Sequence, residues 1–464
     1  MGEYGAVTDD WRGALLEGAE RVDVPAARRD PARWPGYEPR TAVSVWRLPS
    51  GPVCAAWDFS VYGGSFGEDD ASALVAAART AVQERRPLLT LVRSGGTRLQ
   101  EGMAALVGIP RARMALLDLA RAQLPHVSVA DAPTTGGVWI SVASAADLRV
   151  AVDGATVGFA GPRVVEAVTG SLPAPGSHTG RSAAEAGLVD AVLPPEQVPA
   201  WVARVLSALT PDPQPVPSRP AAVRPPQVPG SEQVRWARAR TEGGQDLLAR
   251  LLTDVVPLRA PQSDPTVAAA VGRSGGRPVV GVALAAQVRG RPTPDGYRLA
   301  TRAIRLAGRL GLPLLSLVDT PGAEPDTASE QDGIAPAMGE ALDALLTCPS
   351  PTLALVHGEG GSGGALALAA ADVLLVTLDS YFAAIGPEGA AATLRRPPGE
   401  CADLMRVTPR DLLDLGAADA AVEDPHEVSG WLAELVARPG EARLAARERR
   451  WSAPLPGTCD RIVT

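Results

Sequence analysis

The chain has 464 residues, 46% hydrophobic and 21% charged, which at about 150 residues per domain leaves room for two or three domains. Its 44 basic residues are all arginine, and asparagine is also absent; this excludes a lysine Schiff base, a P-loop lysine, a lysine-borne biotin or lipoyl group and an N-glycosylation acceptor. A formal net charge of −8, with both signs interspersed, speaks against a nucleic-acid or anionic-membrane surface.

No apolar run reaches the roughly 18 residues of a spanning helix, so the cytoplasm is the expected compartment. Cys54, Cys348, Cys401 and Cys459 are scattered without CxxC pairing, so no zinc site or disulfide framework is expected. After an N-terminal extension (1–40), an apolar strand is predicted at Val53–Phe59, a helix at Ala71–Glu84 and a buried strand at Leu88–Val92. The loop Ser94-Gly95-Gly96-Thr97-Arg98 follows. Next come a second helix, a buried strand at His126–Val129 and the double-glycine loop Thr134-Thr135-Gly136-Gly137. Residues 210–230 are too proline-rich for helix or interior strand and read as a linker between domains at 41–209 and 231–464. The second domain repeats the order: strand Val279–Ala285, helix Tyr297–Leu310, strand Leu314–Val318, loop Asp319–Gly322, strand Thr352–Val356 and a loop running from Gly358 to Ala365.

The two halves align at a nearly constant displacement in numbering. Leu88 to Val92 matches Leu314 to Val318, Gly136-Gly137 matches Gly363-Gly364, and Ala146-Asp147 matches Ala371-Asp372, with hardly any drift from one pair to the next. Strands alternating with helices and lacking polar alternation indicate a helix-covered parallel sheet, so the chain reads as a duplicated α/β domain.

The glycine loops stand at the carboxyl ends of strands, where α/β sheets bind ligands. Paired glycines let backbone N–H groups approach a negative oxygen, and helix N-termini add unpaired donors. Nucleophile signatures are lacking: Ser94 has no GxSxG elbow or identifiable His/Asp pair, and His126, His178, His357 and His426 do not recur at matched loop positions. Asp147 and Asp372 read as helix-end ligands of backbone.

Longer motifs now carry a resemblance. In the first half these are SGGTRLQEG (Ser94 to Gly102), DAPTTGGV (Asp131 to Val138) and VGFAGPRVVE (Val157 to Glu166); in the second, PDGYRLA (Pro294 to Ala300), DTPGAEP (Asp319 to Pro325), GEGGSGGALAL (Gly358 to Leu368) and IGPEGAA (Ile385 to Ala391). They resemble, respectively, the beta and alpha subunits of the bacterial acetyl-CoA carboxylase carboxyltransferase. The resemblance implies two tandem crotonase-like domains of the ClpP/crotonase superfamily, related by internal duplication. It implies carboxyl transfer from carboxybiotin, borne on a separate carrier protein, to an acyl-CoA, with acetyl-CoA to malonyl-CoA foremost. Gly136 and Gly137 would hold the acyl-CoA carbonyl, and Gly364 and Ala365 the biotin urea oxygen. Ser94, Gly95, Gly96 and Arg98 would line the CoA side, and Gly360, Gly361 and Gly363 the second loop. The implied partners are biotin carboxyl carrier protein, biotin carboxylase and a second copy of the chain, with no metal. Two other readings use the same residues: a biotin-independent decarboxylase of a malonyl-type thioester, and an inactive scaffold subunit. The chain departs from the pattern in having no four-cysteine zinc module before Cys54, and in Glu324, where the alpha subunit usually has tyrosine.

Overall fold

The computed structural model describes residues 10–212, 218–219, 221, 223–260, 264–285, 287 and 289–455. They form two compact units, Met1–Leu206 and Ser207–Thr464. In the first, strands β1 (Glu20–Val22), β2 (Val43–Arg47), β3 (Val53–Trp57), β4 (Leu88–Ser94), β5 (His126–Thr135), β6 (Leu148–Val152), β7 (Val157–Gly158) and β8 (Ala191–Leu193) make one sheet. Its order is β1-β2-β3-β4-β5-β6-β8, with β7 on β5. In the second, β9 (Thr253–Pro257), β10 (Val267–Ser274), β11 (Arg277–Leu284), β12 (Leu314–Thr320), β13 (Thr352–Gly361), β14 (Val373–Thr377), β15 (Tyr381–Ala383) and β16 (Ala420–Val422) repeat that order, with β15 on β13. In each sheet the first three strands are antiparallel and the rest run parallel.

The central strands are apolar on both faces. Every residue of β12 and β13 is buried, as expected of parallel strands covered by helices. One core of the second unit joins Leu315, Leu353 and Leu375 of the sheet to Leu247, Leu251 and Trp431 of helices. The helix Glu68–Glu84 starts on three acids, and Asp70 accepts the Gly67 N–H at 2.8 Å, closing its first turn. Its counterpart Pro294–Leu310 starts on proline and ends where Gly311 turns left-handed (φ +67°).

The strands overrun the sequence reading. β5 and β13 continue past Val129 and Val356 to Thr135 and Gly361, because their ends are paired by β7 and β15. Strand therefore runs into each double-glycine loop, and the next residue opens a helical turn. Register also refines the repeat: Leu88 faces His126 and Leu314 faces Thr352, both ladders shift after Val92 and Val318, and they resume with Ser94 opposite Thr134 and Thr320 opposite Gly360. All these equivalents share one displacement in numbering, so Gly136-Gly137 corresponds to Ser362-Gly363 and not, as the letters suggest, to Gly363-Gly364.

Repeated aspartates brace each sheet. Asp147 accepts the His126 N–H and Asp372 the Thr352 N–H, each at 2.8 Å. Asp190 and Asp419 do the same for Arg149 and Leu374. In the proline-rich stretch, Asp212 N donates to the Gly276 carbonyl, and Val223 bridges to Ala421. These described parts lie on the second unit.

Candidate functional site

The loops after β4 and β12 have one construction. Ser94 Oγ accepts the Gly96 N–H at 3.1 Å, and Thr320 Oγ1 accepts the Gly322 N–H at the same distance. Gly96 and Gly322 then take φ of +113° and +134°, which L side chains rarely adopt. The chain leaving β5 or β13 turns left-handed at the equivalent residues Gly136 (φ +66°) and Ser362 (φ +60°). The two loops touch: a Cβ on Gly136 would stand 3.0 Å from Gly96 Cα, and one on Gly322 would stand 3.3 Å from Ser362 Oγ. Ser94, expected to line the CoA side, is buried and its hydroxyl braces its own loop.

Helical turns begin at Gly136 and at Ser362, and first-turn N–H groups have no partner inside their own helix. The Gly136 N–H is nevertheless engaged by the Phe159 carbonyl at 3.0 Å. Gly137 is the next donor. In the second unit the exposed first-turn residue is Gly363, whereas Gly364 and Ala365 are buried. Of the glycines and alanine expected at the two helix starts, Gly137 is half-buried and Gly363 exposed, the Gly136 N–H is engaged, and Gly364 and Ala365 are buried.

The other expected residues divide. Gly95 is exposed and its N–H is held by the Gly63 carbonyl. Gly360 and Gly361 are packing positions: a Cβ on the first would lie 2.6 Å from the Phe382 ring, and one on the second 2.1 Å from the Pro321 carbonyl oxygen. They let β13 lie against β15 and the loop after β12. Arg98, expected to meet CoA phosphates, is fully enclosed. It pairs with Asp70 at 2.6 Å and Glu101 at 3.2 Å and donates to the Arg40 and Ser65 carbonyls. Its donors are taken, so it cannot serve as the phosphate ligand.

Beside Gly322, Ser362 and Gly363 opens a cavity of about 720 Å³ in the second unit. Ile334, Met338, Leu342, Leu366 and Ile385 give it apolar walls, and Arg238, Arg291, Glu324 and Glu388 its polar points. Arg238 donates to the buried Glu359 at 2.9 Å and grips Glu388 through both terminal nitrogens at 2.7 and 3.0 Å. Hydrogen bonding to Glu388 and Glu359 raises the Arg238 pKa and outweighs its desolvation, and the same pair holds Glu388 below the usual glutamate range. Tyr381 donates to Glu359 at 2.7 Å. Beneath the loop, burial pushes the Asp319 carboxyl up to about 6 against the pull of the Glu359 N–H it accepts. Burial also pushes His357 down to about 3, helped by Arg240, so it is neutral at pH 7. Sequence reasoning missed Arg238 and Tyr381, which belong to no quoted motif, and gave no role to Glu388, although it lies within IGPEGAA, because its partner Arg238 is 150 positions away.

An apolar cleft with N–H donors at one end suits a ring or acyl group carrying a carbonyl oxygen. No cluster of three metal-binding side chains occurs among the described residues, and no described helix is long and apolar enough to cross a membrane.

A family model described as acetyl co-enzyme A carboxylase carboxyltransferase-like matches residues 233–443. The acetyl-coenzyme A carboxylase carboxyl transferase subunits beta/alpha of Parafrankia sp. (strain EAN1pec) is 34% identical, over 98% of this chain and 88% of its own. A "Probable biotin-dependent acyl-coenzyme A carboxylase beta3 subunit" of Mycobacterium bovis is also 34% identical, over 85% of each chain. Among solved structures, transcarboxylase 12S, a hexamer with hydrolysed methylmalonyl-coenzyme A bound, superposes with a TM-score of 0.76 at 23% identity, covering 93% of this chain and 90% of that one. That likeness is one of fold, and the expected class of two tandem crotonase-like α/β domains stands.

Proposed function

Because this chain belongs to the acyl-CoA carboxylase carboxyltransferase family, in its fused beta/alpha form, we propose that it moves a carboxyl group from carboxybiotin to the α-carbon of an acyl-CoA, with acetyl-CoA the expected acceptor. The N–carboxyl bond breaks and a C–C bond forms. The α-proton passes to the nitrogen released, so no enzymic histidine base is required. Negative charge collects in turn on a urea oxygen and on a thioester oxygen. The first-turn N–H of Gly363 would receive one and that of Gly137 the other; each such donor is worth about 3 kcal/mol of transition-state stabilisation.

The observation that carries this reading is the pair of hydroxyl turns, Ser94 on Gly96 and Thr320 on Gly322, each pressed against a helix start at equivalent positions of the two halves. A reaction with two oxyanions needs two such cradles. The cavity beside Gly363, with apolar walls and polar points, suits the bent bicyclic head of biotin, a polar ureido ring fused to an apolar thiophane ring, and the Arg238–Glu388 pair gives its rim polar contacts for a tethered group. These residues include no lysine to bear biotin, so the biotin is brought by a carrier, which an ATP-using biotin carboxylase would charge. We also propose a homodimer as the smallest assembly, and the domain limits 41–209 and 231–464 flanking the 210–230 linker.

The test is carboxyl transfer from malonyl-CoA to a biotin ester by the purified full chain. Biotin-dependent loss of malonyl-CoA supports the reading. Equal loss without biotin would favour the decarboxylase, and no loss would favour a scaffold.

A further inference from the structure

The carboxyl-transfer scheme leaves a buried hydroxyl without a role. Tyr297, on the helix Pro294–Leu310, is completely enclosed, and its Oη donates to the Gly364 carbonyl at 3.1 Å. Three groups converge there. A Cβ on Gly364 would lie 2.6 Å from the Ala323 nitrogen and 2.9 Å from Tyr297 Oη. The phenol thus reaches the seam between the first turn of the helix Ser362–Ala369 and the loop after β12, one residue behind the exposed Gly363. Burial, reinforced by the Asp264 carboxylate, pushes its ionisation well above the ordinary tyrosine range, so it stays a donor.

The first half has no such device. The equivalent position there, in the same strand-register frame, is Ala71, whose methyl group would meet a Cβ on Gly108 at 2.9 Å. The repeated architecture therefore differs here: a tyrosine hydroxyl ties the helix start in the second half, and a methyl packs against a helix in the first.

We propose that Tyr297 is a positioning residue for the second cradle only: its hydroxyl holds the first helical turn at Gly364 against the Ala323 loop, and so aims the Gly363 N–H into the cavity. The inference rests on the carboxyltransferase reading above. A cradle preorganised in this way acts on the transition state and leaves substrate affinity alone. It should also act on the biotin half of the reaction and leave the thioester half untouched.

The test is Tyr297→Phe in the full chain, which keeps the ring and removes only the hydroxyl. Transfer from malonyl-CoA to a biotin ester is measured alongside the folded fraction by near-UV circular dichroism. A kcat about tenfold lower, with the KM for malonyl-CoA within twofold and the folded fraction unchanged, is expected. An unchanged kcat, a raised malonyl-CoA KM at constant kcat, or a rate that falls only in proportion to the folded fraction would overturn the proposal. Should the wild-type chain show no transfer, the underlying functional reading fails first, and that outcome is separate.

Discussion

The Arg98 guanidinium stands 2.6 Å from the Asp70 carboxylate, and neither side chain has any exposed surface. Asp70 also accepts the N–H groups of Ala42, Val43 and Gly67, and Glu101, on the other side of Arg98, accepts from Tyr37. One buried cluster thus fastens the segment preceding β2 to the start of the helix Glu68–Glu84. Arginine suits that place because its planar fork can serve several acceptors at once.

Arg98→Ala should therefore damage folding before it touches substrate binding. It leaves two buried carboxylates without their cation, a loss on the order of 3–5 kcal/mol. The urea midpoint should fall steeply, while the folded remainder keeps its malonyl-CoA KM. A stable variant with a strongly raised KM would restore Arg98 to the CoA site.

Gly361 and Gly363 are neighbours in one motif but should answer substitution in opposite ways. A methyl group at Gly361 would meet the Pro321 carbonyl oxygen at 2.1 Å, an approach that only backbone movement can relieve, whereas the nearest atom to one at Gly363 is the flexible Met338 Cε at 3.5 Å. Gly361→Ala should lower the melting temperature by several degrees, in keeping with the ~1–3 kcal/mol of overpacking. Gly363→Ala should leave it within about two degrees. Equal shifts would contradict this account of the loop.

Two buried titrating groups oppose each other below neutral pH. His357 is held at about 3, beneath its ordinary 6.5, so its stability contribution is complete above pH 6.5 and lost as pH falls towards 3, about 5 kcal/mol in all. Asp319 is raised to about 6 from 3.8; its contribution is complete below pH 3.8 and lost as pH rises through 6, about 3 kcal/mol. Between pH 6.5 and 4 the two largely cancel. Asp319→Asn removes the compensation, so its urea midpoint should drop more steeply from pH 6.5 to 4.5 than that of the wild type. Parallel profiles would show that Asp319 does not carry a raised pKa.

The duplication was legible because strands such as Leu88–Val92 and Leu314–Val318 are apolar on both faces and repeat almost letter for letter. The aspartate braces were legible too, since Asp147 and Asp372 follow the same alanine. The double glycines misled by one residue: serine occupies the left-handed position in the second half, where the first has Gly136, so matching letters displaced the frame that strand register restores. Arg98 misled for another reason. An arginine beside a glycine loop looks the same in sequence whether its partner is a phosphate or the buried Asp70, and only the fold brings Asp70 and Glu101 around it. The clamp of Arg238 on Glu359 and Glu388 joins residues 121 and 150 positions apart, beyond any local pattern.

The central claim, that the glycine-lined helix start at Gly363 cradles charge during carboxyl transfer, is tested most directly by Gly363→Val. The added side chain would occupy the cavity mouth where a carbonyl oxygen must approach, and its Cβ meets nothing closer than the flexible Met338 Cε at 3.5 Å. The kcat for transfer from malonyl-CoA to a biotin ester should fall at least about a hundredfold with the fold intact. A folded variant turning over within threefold of the wild type would contradict the account.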